Sequence, residues 1–202
     1  MDTEIMRGVI LSEGQELIRL ADAIDYKSLA CLEEIIRVKG RNVFFTGCGT
    51  SAMAARKCSH TLQVIGSQAF YLNPSDAVHG GLGAVRENDV VVVLSKGGTT
   101  KELMAFLPNL HDKGVIIVVV GEKHESPIGK MADLFVKIRV DREPDAFNML
   151  ATASTLAVIA AFDALAISLM NETHFTRSAF LTTLAETLAT VLRRGRSRPG
   201  AS

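Results

Sequence analysis

Val90-Val91-Val92-Val93-Leu94-Ser95-Lys96-Gly97-Gly98-Thr99-Thr100-Lys101-Glu102 decides how this chain reads. Its first five residues are all apolar, four of them β-branched, and they do not alternate with polar ones. A run of that kind predicts a short strand buried on both faces, which belongs in the middle of a parallel sheet covered by helices. The glycine and hydroxyl cluster after it then falls where an open parallel sheet binds its ligand, outside the carboxyl ends of the strands.

Outward from this stretch the pattern repeats. Residues 115–120, Val-Ile-Ile-Val-Val-Val, form a second run without alternation. Strands are predicted at 42–46, 68–72, 89–94, 115–120 and 134–138, with helices between them at 51–64, 76–82, 100–112 and 127–131. Gly66, Gly114 and Gly121 punctuate the ends of these segments. Helices at 13–24 and 26–38 precede the unit, and helices at 151–170 and 176–192 follow it. The expected fold class is therefore α/β: a three-layer, doubly wound, five-stranded parallel sheet flanked by helices. Residues 1–195 read as one domain and the Arg-rich end, 196–202, as a disordered solvated tail.

Composition narrows the function classes. Lys plus Arg and Asp plus Glu both total 22, so nothing supplies the basic surface that nucleic acid requires. Cys31, Cys48 and Cys58 are odd in number and lack metal-ligand spacing, which points to a reducing, cytoplasmic compartment with no metal and no cofactor. The apolar segment 151–170 is long enough to span a bilayer, but Asp163, Ser154, Thr155 and its Ala-rich composition favour a core helix over a membrane span.

After the first predicted strand comes Gly47-Cys48-Gly49-Thr50-Ser51-Ala52. Glycines let backbone approach a ligand, the following helix offers unpaired N–H groups, and Thr50 and Ser51 add hydroxyls, so the stretch reads as a phosphate cradle. The same spacing fits a dinucleotide fingerprint, but Leu72-Asn73-Pro74 stands where that motif wants an acidic residue. A structural strand-to-helix turn is the remaining reading. The second loop, from Ser95 to Thr100, has the same character, and an anion held between the two loops explains both.

These two loops resemble the signature loops of the SIS (sugar isomerase) domain family, and the stretches 73–83 and 154–166 resemble its arabinose-5-phosphate isomerase members. The resemblance implies a phosphorylated sugar as partner, bound by Gly49, Thr50, Ser51, Ser95, Lys96, Gly97, Gly98, Thr99 and Thr100. It implies catalytic roles for Glu102, Glu143 and His79, and a homodimer or homotetramer. Two positions depart from those isomerases, which carry a lysine in place of Thr50 and a C-terminal His-Pro-Gly-Gly segment that this chain lacks.

Aldose–ketose isomerisation needs a base for the proton beside the carbonyl, a donor for the oxygens and a held phosphate. Glu102 or Glu143 would be that base in a cis-enediol route, with His79 opening the ring or shuttling protons. The alternative is a non-catalytic sugar-phosphate sensor or regulatory subunit.

Overall fold

The computed structural model describes residues 3–184. Of the helix expected over 176–192, the described part is helical only to Thr183, with Leu184 extended; residues 185–192 and the 196–202 tail lie outside the described residues. In chain order the elements are α1 (Thr3–Ala23), α2 (Tyr26–Arg37), β1 (Val43–Gly47), α3 (Thr50–Val64), β2 (Ala69–Tyr71), α4 (Pro74–Val78), β3 (Val90–Leu94), α5 (Lys101–Met104), α6 (Leu107–Asp112), β4 (Ile116–Gly121), β5 (Leu134–Lys137), α7 (Ala153–Glu172) and α8 (Arg177–Thr183). All strand pairs are parallel, in the order β2-β1-β3-β4-β5.

The apolar run in β3 divides its side chains between two cores. Val90, Val92 and Leu94 face a layer built from α1, α2, α3 and α7, whereas Val91 and Val93 face α5 and α6. All five are buried, and so is every residue of β1. Each face needs apolar residues, which is why the run does not alternate. At the β2 edge the demand relaxes: Phe70 is exposed and rests against Phe44, with ring centroids 5.6 Å apart.

From β1 the chain goes outward to β2, then returns past β1 to β3 and continues to β4 and β5. The winding therefore reverses between β1 and β3, whose carboxyl ends carry the two hydroxyl loops.

Besides α1, which begins at Thr3 rather than at residue 13, three predicted helices take other forms. The helix expected over 100–112 is two short ones, because Pro108 cannot continue a helix and instead sits in the first turn of α6, after a break at Phe106. The helix expected over 76–82 begins at Pro74, with the Asn73 side chain accepting from the Ser75 N–H, and ends before a 3-10 turn at Gly81–Ala84. The helix expected over 127–131 is only a 3-10 turn, Gly129–Met131. By length and composition α7 could cross a membrane, yet here it packs on α1, α2 and α3. Ala153, Ala157, Phe162, Leu165 and Leu169 are buried, and Asp163 turns to Lys57.

Candidate functional site

β1 delivers Gly47 into a narrow space. A Cβ there would lie 3.0 Å from the Ser51 backbone and 3.1 Å from the Leu94 carbonyl, so glycine lets the start of α3 fold down between β1 and β3. No side chain caps α3, whose N-cap is Gly49 at φ 58°. Its first N–H groups and the Thr50 and Ser51 hydroxyls stand at the sheet's ligand edge, where the helix dipole favours an anion.

The second loop is braced by one contact of its own and by the segment after β4. Ser95 Oγ and Thr100 Oγ1 are 3.2 Å apart, and the backbone N–H groups of Glu122 and Ile128 donate to the Lys96 and Gly98 carbonyls at 3.1 and 3.0 Å. Gly98, at φ 67°, packs so tightly on Ser126 that a Cβ would fall 1.9 Å from the Ser126 hydroxyl.

Thr50, Ser51, Ser95 and Lys96 line one pocket of about 90 Å³ together with Glu122 and, from the start of α7, Ser154 and Thr155. Gly97, Gly98, Thr99 and Thr100 are not among its walls; Gly98 and Thr100 instead hold the loop that carries Ser95 and Lys96.

Glu143 stands behind the pocket with its side chain 0% exposed. Its carboxylate accepts from Lys96 Nζ at 2.7 Å, from the Thr152 and Ser154 N–H groups at 3.0 and 3.3 Å, and from the Ser154 hydroxyl. Burial alone would push this carboxyl up, but those donors outweigh it and hold it below the usual glutamate range. The Glu143 N–H donates in turn to Asn148 Oδ1 at 2.6 Å. Lys96 is 42% exposed and also faces Glu122 at 3.9 Å, so it joins a buried carboxylate to the open pocket.

Glu102 is exposed in the first turn of α5 and does not line the pocket. The Cys48 thiol of the first loop is pushed up by burial and, secondarily, by the Glu102 charge, which puts Glu102 within electrostatic reach of that loop. His79 is exposed at the end of α4, where its backbone N–H donates to the Asp76 carbonyl. Sequence reasoning missed Glu122, Ser154 and Thr155 as pocket residues. The signal available was a hydroxyl pair in the first turn of an otherwise apolar helix.

Residues 35–168 match the SIS domain. The arabinose 5-phosphate isomerase GutQ of Salmonella typhi is 33% identical over 177 residues, which are 85% of this chain and 55% of that protein. The chain thus spans about half the length of this curated relative. A candidate sugar-phosphate isomerase from Listeria monocytogenes superposes with a TM-score of 0.88 at 38% identity, covering 91% of this chain and 98% of the other. The c3406 protein of E. coli CFT073, solved in complex with arabinose 5-phosphate, superposes with a TM-score of 0.84 at 30% identity, covering 88% and 94%.

Proposed function

Because the chain belongs to the SIS domain family, we propose that it is an aldose–ketose isomerase of a phosphorylated pentose or hexose, acting through a cis-enediol. The observation that carries this reading is the convergence of Thr50, Ser51, Ser95 and Lys96 on one pocket at the reversal point of the sheet. The similarity to a GutQ isomerase and to a protein solved with arabinose 5-phosphate supports that sugar as the first substrate to try.

In this mechanism the phosphate rests on the start of α3 and the hydroxyls of both loops, and the open-chain sugar extends across the pocket. A carboxylate removes the proton from C2 of the aldose. The electron pair released forms the C1–C2 double bond while the carbonyl oxygen gains a proton. Return of the proton to C1, with loss of the O2 proton, gives the ketose. Glu102, outside the pocket walls but within electrostatic reach of the first loop, serves as the base for a sugar that extends out of the pocket toward it. Glu143 is a poor base, being saturated with donors and already held in its charged form. It acts as a positioning residue that presents the Lys96 ammonium to the developing enediolate charge.

His79 stays a candidate for ring opening once a second copy of the chain adjoins the site. Exposed Ile5, Ile10 and Ile18 on α1 and exposed Phe147, Met149 and Leu150 support a homo-oligomer. The three free thiols suit a reducing cytoplasm.

The decisive assay incubates the pure protein with arabinose 5-phosphate, or with a hexulose 6-phosphate, in deuterated water. Ketose or aldose product carrying deuterium at the reacting carbon is expected. No turnover of either sugar, with binding intact, would assign the chain to the sensor reading instead. Glu102→Gln should cut turnover by about 10²–10⁴-fold and leave binding and folding unchanged.

A further inference from the structure

Beside the pocket lies a second, more open recess of about 400 Å³ that shares Lys96, Glu122 and Val140 with it. Its walls carry five cations, Lys96, Lys123, Lys137, Arg139 and Arg142, against two carboxylates, Glu122 and Asp141. In a chain of zero formal charge this is a local concentration of one sign.

Strand periodicity puts it there. Val136, Ile138 and Val140 are buried, so the intervening Lys137 and Arg139 project together on the other side. Glu122 is opposed within the recess by Lys96, which also pairs with Glu143, and the Asp141 carboxylate is drawn outward toward Arg19 at 3.9 Å. Among the described residues, the side chains of Lys123, Lys137, Arg139 and Arg142 have no hydrogen-bond or ion-pair partner. Four unpaired cations in one concavity raise the local potential for anions, and the shared walls Lys96, Glu122 and Val140 set that potential beside the pocket.

We propose that this recess is a second anion subsite, so that the site takes phosphorylated sugars bearing a second anionic group, a carboxylate or another phosphate. The inference rests on the phosphosugar reading of the pocket. In it the first phosphate sits on the α3 start and the loop hydroxyls, and the second group is held by Arg139, Arg142 and Lys123 at the recess.

Titration calorimetry with sugar pairs tests this. Ribulose 5-phosphate is compared with ribulose 1,5-bisphosphate, and fructose 6-phosphate with fructose 1,6-bisphosphate, each at two salt concentrations. The bisphosphate should bind about tenfold tighter or better than its monophosphate, with the steeper salt dependence. In Arg139→Ser/Arg142→Ser the advantage should fall to within about twofold while monophosphate affinity holds. Lys123→Glu, an exposed position, should act in the same direction.

Equal binding of mono- and bisphosphates by the unaltered protein overturns the inference and leaves the phosphosugar reading standing. So does a bisphosphate advantage that the double variant retains. Pyrophosphate that binds alongside a saturating monophosphate, without a bisphosphate advantage, would mean a separate free anion and also overturns it. Failure of every sugar phosphate to bind overturns both readings.

Discussion

The first and second hydroxyl loops have nearly the same composition, follow adjacent central strands and face one pocket, yet they are built for different work. The loop at Thr50 and Ser51 leaves donors open: α3 has no side-chain cap and Thr50 is exposed. The loop at Ser95 is braced from the β4 side, its Lys96 and Gly98 carbonyls accepting the Glu122 and Ile128 N–H groups, and within it Ser95 Oγ lies against Thr100 Oγ1. Similar glycine and hydroxyl spacing thus yields one wall that offers groups to a ligand and one that gives shape. The difference arises because α3 runs 15 residues behind the first loop, whereas the second leads only to the four-residue α5 and must be braced by the β4 side of the sheet.

Gly98→Ala should expose the contrast most strongly, because the added methyl would meet Ser126 at a backbone angle that already favours glycine. A loss of about 4 kcal/mol in denaturant unfolding is expected from overpacking plus dihedral strain. A loss below about 1 kcal/mol would show that the second loop is not the rigid wall described.

Glu143→Ala comes next, at about 3 kcal/mol, since it strands the Thr152 and Ser154 donors and frees Lys96. Glu143→Gln gives the pH signature. The folded-state carboxyl is held below its ordinary range, so its contribution is complete above that range and is lost as pH falls through the folded value. The stability gap between wild type and Glu143→Gln should therefore be constant near neutrality and shrink on acidification. A gap independent of pH through the acid limb would count against the Lys96–Glu143 pairing.

Gly49→Ala sharpens the comparison from the other side. A Cβ at Gly49 meets nothing within 4 Å, so only the backbone opposes it, φ 58° with ψ −130° being a sparsely populated conformation outside the left-handed helical region, and about 2–3 kcal/mol is expected. The Gly98 cost should exceed the Gly49 cost in the same experiment.

Thr50→Val should have the smallest effect on the protein, leaving its melting temperature unchanged. It should weaken sugar-phosphate binding by about five- to tenfold through the loss of one hydroxyl. Unaltered affinity would remove Thr50 from the phosphate site.

Much of this was legible in the residues. Each of the five strands was expected within about two residues of where it lies, because a strand covered on both faces must be apolar at every position, and 90–94 and 115–120 show that directly. The helix expected at 100–112 was less legible, since Pro108 closes one helix and opens the next inside a run whose apolar spacing otherwise reads as a single segment. The site divides in the same way. Thr50, Ser51, Ser95 and Lys96 were marked by local chemistry, but the burial of Glu143 and its bond to Lys96, 47 residues away, leave no local trace.

Periodicity and residue type alone determined the α/β class, the strand positions and the two loops that face a ligand, because these follow from which side chains must leave water and which turns need glycine. The tertiary structure decided the strand order, the removal of Gly97 to Thr100 from the pocket wall, and the distance of His79 from it. It also decided that Glu143 is an anchored carboxylate and that Lys137, Arg139 and Arg142 share a recess with Lys123. Those outcomes depend on groups far apart in the chain being brought within a few ångströms, and the range of a hydrogen bond or a charge is set by distance through space, not along the sequence.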